Sequence, residues 1–206
     1  MKTRETMEKM ACLTYLVTTV LLVILPCGYA FRVLVFVPAA VERGGRAVLI
    51  CSPELFQDDI HRITWLKDAS KIYRYKQYSQ PGRERETFRM AGLQIDDLSS
   101  NLTHLVLPDV DIRNEGNYTC QVERRGPAFS VKHNSSDLRV YSIPKEYRKL
   151  VTLEQENPRG LGDLICVSAP THPEVRISWY INGEPAHPER VVNYPVEVTH
   201  DNLKVS

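Results

Sequence analysis

Four residues constrain the fold of this 206-residue chain more than any other feature: Cys51, Trp65, Tyr118 and Cys120. Trp65 follows Cys51 by 14 residues, Cys120 follows it by 69, and Tyr118 stands two positions before Cys120. From Phe31 onward the sequence consists of short apolar alternations separated by Gly, Pro, Asn and Asp, without a long helical period. This pattern predicts an all-β chain.

The spacing of the four residues resembles that of an immunoglobulin domain, a β-sandwich of two packed sheets. The resemblance implies a disulfide between Cys51 and Cys120 that crosses the core, with the Trp65 ring beside the sulfurs. It also implies that the Tyr118 hydroxyl pins the corner that leads into its strand. We therefore expect an immunoglobulin-like β-sandwich.

The interval between Trp65 and Leu102 is long enough for the additional strands of a variable-type domain. Residues 72–75 and 87–90 are the candidates, so we predict nine strands rather than seven. The preceding run Arg83–Glu86 alternates in charge, which is typical of a solvated edge strand.

The first 30 residues have the order of a secretory signal peptide. Basic residues near the start precede an apolar run at 11–25, which is shorter than the roughly 20 residues of a membrane-spanning helix. The small residues Gly28 and Ala30 suit cleavage before Phe31, and a signal anchor is the alternative. No later stretch has the length and hydropathy of a membrane span, so a membrane tether is not visible in the sequence.

A proline break after Tyr141 indicates that the variable-type domain extends over residues 31–141. L-I-C-V-S at Leu164–Ser168 and I-S-W-Y at Ile177–Tyr180 then repeat the cysteine-to-tryptophan step at 13 residues. No cysteine follows Cys166, so we expect residues 142–206 to be a partial second immunoglobulin-like domain whose Cys166 partner lies past Ser206. A reactive or intermolecular thiol is the alternative.

Charge and motif content argue against several function classes. Without the signal segment, 23 basic side chains balance 23 acidic ones, which does not suit a nucleic-acid-binding protein. The sequence contains no G-x-S-x-G, phosphate-binding glycine loop or H-E-x-x-H. His172, His187 and His200 lack the spacing of a zinc site, and we interpret them as solvated loop residues. We expect no catalytic residue, no metal, no cofactor and no small-molecule substrate.

Several longer sequence segments are more specific than the general immunoglobulin pattern. They are Val35–Val41, Leu49–Cys51, Ile63–Lys67, Ile72–Tyr75, Phe88–Asp96, Glu115–Glu123, Pro127–Ser130 and, further on, Ile177–Glu184. Together these segments resemble the Beaten path family of neuronal immunoglobulin-domain proteins. The segments I-Y-R-Y and P-A-F-S are the most specific to the family, because the immunoglobulin fold does not require them. The chain departs from the family pattern at Leu66, where an aromatic is usual, and at Ile72, where phenylalanine is usual.

The resemblance implies an extracellular recognition protein that acts in axon guidance and fasciculation. It also implies cell-surface immunoglobulin proteins of the Sidestep family as partners. A soluble immune-type receptor or decoy with the same fold is the alternative function, and a hydrolase is a distant third. The implied location is secreted or at the extracellular face of the plasma membrane.

Strand alternation indicates which residues face a partner. Tyr118, Cys120 and Val122 share the core-facing side, which leaves Gln121 and Glu123 on the outer side.

Leu66 faces outward by the same argument, because Trp65 points inward in the same sheet. We expect Leu66, Tyr73, Tyr75 and Phe129 to form an apolar patch with polar edges, the composition of a protein interface. Each aromatic could instead fill the core, and alternation does not decide for Tyr73 and Tyr75.

The turn at 124–127 occupies the position of the third recognition loop of antibody-like domains. Arg124 and Arg125 offer planar donors to carboxylates on a partner, or alternatively keep a hairpin tip soluble.

Three sequons predict glycosylation at Asn101, Asn117 and Asn134. Asn117 points outward on the expected binding sheet, so a glycan there directs binding toward the half of the sheet nearer Arg124.

Overall fold

The computed structural model describes residues 31–78, 81, 84–126, 130–144, 151–156 and 162–205. The predicted signal segment, residues 1–30, lies outside this described part. Up to residue 144, the described residues form nine strands: β1 (Val33–Phe36), β2 (Ala40–Glu42), β3 (Ala47–Pro53), β4 (Ile60–Lys67), β5 (Ser70–Lys76), β6 (Arg85–Thr87), β7 (His104–Leu107), β8 (Gly116–Arg124) and β9 (Val131–Tyr141).

The nine strands form two sheets. One sheet has the order β1-β3-β7 and is antiparallel, and the other has the order β2-β9-β8-β4-β5-β6. In the six-stranded sheet only β2 runs parallel to its neighbour, β9, among the described strands. The all-β, variable-type immunoglobulin prediction is confirmed.

Of the two additional strands predicted from the sequence, the structure confirms one and places the other differently. Residues 72–75 lie within β5, as predicted, whereas the predicted strand at 87–90 is wrong for all but its first residue. The second extra strand is β6, which pairs with β5 through Tyr73 and Thr87. After Thr87 the Phe88 amide still donates to the Ile72 carbonyl at 2.9 Å, and the chain then turns at 90–93, where the Leu93 amide donates to the Met90 carbonyl at 3.1 Å.

The disulfide and its neighbours form the centre of the core, as the immunoglobulin spacing implies. Cys51 and Cys120 are bonded across the two sheets, and Trp65 is fully buried beside Cys120 on the neighbouring strand. The Tyr118 hydroxyl donates to the Asn114 carbonyl at 2.8 Å, which fixes the corner that precedes β8. Burial raises the pKa of the Tyr118 phenol, so this donor keeps its proton at neutral pH.

The turn between β4 and β5 is fixed to the start of β8 by one carboxylate. Asp68 and Ala69 both have positive φ angles, of 47° and 67°, in this tight turn. The Asp68 carboxylate accepts from Lys67 Nζ at 2.5 Å and from the Asn117 amide at 2.9 Å. The bond from Lys67 holds the pKa of Asp68 below its usual value, with a smaller contribution from the Asn117 amide.

We expect Asp68→Asn to destabilise the domain by about 1–2 kcal/mol at pH 7, because it leaves the largely buried Lys67 ammonium without its counter-ion. Asparagine tolerates the positive φ, so the backbone is preserved. Since the Asp68 pKa is lowered by folding, the wild-type advantage is complete above about pH 4 and shrinks as the pH falls further.

Thermal unfolding at pH 7 and at pH 3 checks this expectation. The gap between wild type and Asp68→Asn is expected to be smaller at pH 3 than at pH 7, while the exposed control Asp109→Asn changes little at either pH. An equal gap at both pH values contradicts the role assigned to the ion pair.

The chain after residue 144 forms small two-stranded sheets in its described residues. They pair β10 (Val151–Glu156) with β11 (Gly162–Ile165), β12 (Tyr180–Ile181) with β13 (Glu184–Pro185), and β14 (Glu197–Val198) with β15 (Lys204–Val205). Cys166 is a free cysteine among the described residues. The assignment of residues 142–206 to a partial second immunoglobulin-like domain remains a prediction.

This second segment contacts the variable-type domain at the end of β9. Ser142 and His172 exchange two backbone hydrogen bonds, and the Glu115 carboxylate lies 3.0 Å from His172 Nε2. The interpretation of His172 as a solvated loop residue is therefore wrong, because its side chain is only 14% exposed. His187 and His200 are exposed, as expected.

An apolar cavity of about 540 Å³ adjoins this contact. Its lining includes Tyr141, Ile143, Cys166, Val167, Ala169 and Ile177. It lies at the opposite end of the domain from the turn after β8.

Candidate partner-binding face

The outer side of the six-stranded sheet brings together three of the seven predicted partner-binding residues that the structure describes, namely Leu66, Gln121 and Glu123. Three cross-strand pairs of β4 and β8 form its centre: Leu66 with Thr119, Thr64 with Gln121, and Arg62 with Glu123. Side chains directly opposite one another share a face, and Ile63 and Trp65 fill the other face. Leu66, Gln121 and Glu123 thus lie on one continuous surface.

Leu66 is the apolar centre of this surface. Its side chain is half-buried, whereas the neighbouring Thr64 on the same side is only 4% exposed. A partly exposed leucine beside small polar side chains can enter a partner's pocket without first breaking a hydrogen bond.

Two predicted members of the face, Tyr73 and Tyr75, belong to the opposite side of the sheet. Tyr73 pairs with Trp65 and is fully buried, and Tyr75 pairs with the buried Ile63. The cause is a register shift between Trp65 and Leu66, which leaves Ile72 as an extra residue in β5 and reverses the alternation. Burial raises the pKa of the Tyr73 phenol. The apolar patch is therefore smaller than the sequence predicts.

Ion pairs fill the flanks of the face. Arg62 Nε lies 2.6 Å from a Glu123 carboxylate oxygen, and Glu123 is 13% exposed. Arg74 pairs with Glu86 at 2.9 Å, and its guanidinium lies 5.2 Å from the centroid of the Phe88 ring. Glu123 therefore neutralises Arg62 within the chain, which makes it a weaker candidate for direct partner contact than Gln121.

The turn after β8 holds Arg125 in a fixed arrangement. Its guanidinium lies 4.1 Å from the centroid of the Tyr78 ring, a cation–π contact, and its amide donates to the Asp59 carbonyl at 2.7 Å. The Tyr78 hydroxyl in turn donates to the Asp58 carbonyl at 2.8 Å. Arg125 is exposed and positioned, so little side-chain freedom remains to be lost when it binds a carboxylate. Arg124 is half-buried beside it.

Sequence reasoning missed two exposed aromatic residues at this end of the sheet. Tyr78 is 51% exposed, and Phe56, in the turn before β4, is 85% exposed. Both residues lie in turns, where strand alternation gives no signal. Phe129, the remaining predicted member of the face, lies outside the described residues.

The three sequon asparagines have different surroundings. Asn101 is exposed, and its Oδ1 accepts from both the amide and the hydroxyl of Thr103, at 2.9 and 3.2 Å. Asn117 lies on the outer face, where its Nδ2 donates to Asp137 at 2.9 Å. Asn134 Nδ2 donates to the Val33 carbonyl at 2.9 Å, across to the other sheet. A glycan at Asn117 therefore stands on the candidate face, and one at Asn101 stands away from it.

Among the residues that the structure describes, no group of three or more His, Cys, Asp or Glu side chains is placed so that it could hold a metal ion. None of the described helices is long and apolar enough to cross a membrane.

Two packed sheets, a buried disulfide and an outer face with an apolar centre define an immunoglobulin-type recognition domain. The family model for the immunoglobulin V-set domain matches residues 37–141, and the chain belongs to this family. Domains of this family are typically recognition modules rather than enzymes.

One relative with a known name is also an immunoglobulin-domain protein of the adhesion type. CD166 antigen from Homo sapiens is 30% identical over 92 residues, which cover 45% of this chain and 15% of that protein. The chain therefore spans about 15% of the length of that relative.

Among solved structures, the amphioxus IgVJ-C2 molecule matches with 18% identity and a TM-score of 0.41, over 55% of this chain and 59% of that chain. Murine CRIg matches with 16% identity and a TM-score of 0.40, over 53% of this chain and 98% of that chain.

Proposed function

We propose that this chain is an extracellular recognition and adhesion protein of the Beaten path type. Its partners are cell-surface immunoglobulin proteins of the Sidestep family, and its role is in axon guidance and fasciculation. The sequence segments I-Y-R-Y at 72–75 and P-A-F-S at 127–130 support the assignment to the Beaten path family. Membership of the V-set family and the likeness to CD166 antigen support recognition at a cell surface in general.

The observation that carries the binding role is the arrangement of Leu66 and Arg125 on one sheet. A half-buried leucine lies on the outer face opposite Thr119, near the start of β8, and an exposed guanidinium stacked on Tyr78 lies at the other end of the face. Such a face suits a protein partner, because an apolar anchor contributes affinity while a positioned arginine recognises a carboxylate. Gln121 completes the central contact, and Arg124 adds positive charge at the same end.

Glycans at Asn101, Asn117 and Asn134 belong to the same proposal. A glycan on Asn117 covers the part of the outer face nearest the start of β8. Leu66, opposite Thr119, borders this part, so partner contacts extend from Leu66 through Gln121 to the turn after β8.

A cell-surface binding screen tests the function. The purified chain is applied to cells that each display one extracellular immunoglobulin-domain protein, including members of the Sidestep family. Binding to a Sidestep-family protein is the expected result. Binding only to soluble or immune-type ligands contradicts the proposal and favours the immune-type alternative.

We expect Arg125→Glu to slow association with the partner by about three- to tenfold at low salt, because it replaces an attractive charge by a repulsive one. The effect is expected to shrink as ionic strength rises, since exposed charges are screened. Surface plasmon resonance at two salt concentrations measures it.

The matched control is Arg113→Glu, an exposed arginine in the turn before β8 at the other end of the strand. Equal slowing by the two variants indicates an effect of net charge alone, and contradicts a specific role for Arg125.

A further inference from the structure

Three turns meet at the end of the six-stranded sheet where β4 begins and β8 ends. They are the turn at 54–59 before β4, the residues that follow β5, and the turn after β8. Strand pairing brings them together, because the first residue of β4 pairs with the last residue of β8, and Arg62 pairs with the last residue of β5. The proposed function uses only Arg124 and Arg125 from this end.

Hydrogen bonds to backbone carbonyls hold the three turns against one another. The Arg125 amide donates to the Asp59 carbonyl at 2.7 Å, and the Asp59 amide donates to the Phe56 carbonyl at 3.0 Å. The Tyr78 hydroxyl donates to the Asp58 carbonyl at 2.8 Å. The three turns are therefore connected before any partner arrives, so little backbone freedom remains to be lost on binding.

Two aromatic side chains and one guanidinium are exposed on these connected turns. Phe56 is 85% exposed and Tyr78 is 51% exposed, and the Arg125 guanidinium lies 4.1 Å from the centroid of the Tyr78 ring. We call Phe56, Tyr78 and Arg125 the turn cluster. No ion pair between described residues includes Arg125, whereas Arg62 is paired with Glu123. The positive charge of Arg125 is therefore available to a partner.

We propose that the turn cluster is a second contact for the partner of the proposed function, on which this inference rests. The partner presents a carboxylate to Arg125 beside an apolar recess that accepts the Phe56 ring. Aromatic and arginine side chains often dominate the binding energy of protein interfaces. An exposed phenylalanine enters such a recess without breaking a hydrogen bond, and a guanidinium forms two parallel hydrogen bonds with a carboxylate.

Tyr78 is a positioning residue in this arrangement. Its hydroxyl is bonded to the turn before β4, and its ring lies against the Arg125 guanidinium. A cation–π contact of this kind restricts a long, flexible side chain, so the guanidinium is held in place already in the free chain.

NMR of the free chain tests the positioning of Arg125 without a partner. The Arg125 side-chain protons are expected to be shifted upfield by the Tyr78 ring in wild type, and Tyr78→Leu is expected to abolish this shift. Arg125 side-chain resonances at the positions of an unstructured peptide in wild type overturn the positioning role of Tyr78.

Surface plasmon resonance against the protein that binds in the cell-surface screen tests the contact itself. Phe56→Ala is expected to weaken binding about 10- to 30-fold, mainly through faster dissociation. The matched control is Tyr194→Ala, which removes an aromatic side chain that is 72% exposed in the segment after residue 144 and is expected to leave the affinity unchanged. Equal affinity of wild type and Phe56→Ala overturns the contact.

A double-mutant cycle tests whether Tyr78 acts through Arg125. Tyr78→Leu is expected to weaken binding about three- to fivefold in the wild-type background and to have little further effect in the Arg125→Ala background. Tyr78→Phe keeps the ring and is expected to bind like wild type. Fully additive effects of Tyr78→Leu and Arg125→Ala contradict the positioning role.

Asp58→Asn tests the charge of the partner at this contact. Asp58 is exposed in the same turn as Phe56, so its carboxylate repels an incoming carboxylate. Asp58→Asn is expected to speed association about two- to threefold at low salt. Unchanged or slower association overturns an acidic partner surface at this position.

The screen and the variants separate the turn cluster from the proposed function. If a Sidestep-family protein binds wild type and Phe56→Ala equally, the turn cluster is wrong and the proposed function stands. If the screen finds a binder from another family, and Phe56→Ala loses it, the Sidestep partner is wrong and the turn cluster stands. The absence of any binder overturns both.

Discussion

Replacement of both Cys51 and Cys120 by alanine is expected to lower the free energy of unfolding of the variable-type domain by about 4 kcal/mol. The two residues are separated by 69 positions, and the chain-entropy cost of closing a loop of that length in the unfolded state gives this magnitude. Both residues are fully buried, so truncation also removes packing against their neighbours. Because small domains have a total stability of about 5–15 kcal/mol, the variant is expected to be partly unfolded at 37 °C.

Urea unfolding followed by tryptophan fluorescence measures this loss, since Trp65 lies beside the disulfide. The matched control is Cys166→Ala, which removes a half-buried cysteine that has no disulfide partner in the described part of the chain, and it is expected to leave the midpoint of this transition nearly unchanged. An unchanged midpoint for the double alanine variant contradicts the disulfide-centred core.

Leu66→Asp is expected to weaken partner binding by at least about 30-fold, which corresponds to the roughly 2 kcal/mol of a central interface residue. The substitution removes the apolar centre of the outer face and places a carboxylate where the partner must exclude water. Folding is expected to persist, because Leu66 is half-buried on the outer side and does not touch the disulfide side of the sheet.

The matched control for this prediction lies on the same sheet. Lys132→Asp changes an exposed residue of β9 whose pairing partner, Val122, faces the core, so it introduces the same side chain off the outer face. Equal loss of binding in both variants assigns the effect to charge or folding rather than to the Leu66 contact.

Regular strands explain why part of the site could be predicted. β8 continues without a bulge from Gly116 to Glu123 against β9, so alternation counted from Cys120 correctly places Gln121 and Glu123 outward. The corner before β8 depends on the spacing between Tyr118 and Cys120, so the resemblance implies that the Tyr118 hydroxyl pins this corner. The structure adds the acceptor, the Asn114 carbonyl.

Irregular backbone and contacts between distant parts of the chain explain why other features of the site were not predicted from the sequence. One extra residue, Ile72, reverses the sides of Tyr73 and Tyr75, and a bulge depends on pairing with a neighbouring strand that sequence alone does not show. The stacking of Arg125 on Tyr78 joins two turns that are far apart in the chain. The contact between His172 and Glu115 likewise joins residues separated by 57 positions.

The most direct test of the central claim, that the outer face of the six-stranded sheet binds the partner, is surface plasmon resonance against the partner identified by the cell-surface screen. Wild type, Leu66→Asp and Thr103→Ala are compared, the last of which removes the Asn101 sequon, away from the outer face. Loss of binding by Leu66→Asp and wild-type affinity for Thr103→Ala are the expected results. Unchanged binding by Leu66→Asp together with loss of binding by Thr103→Ala would place the site on the opposite sheet and contradict the account.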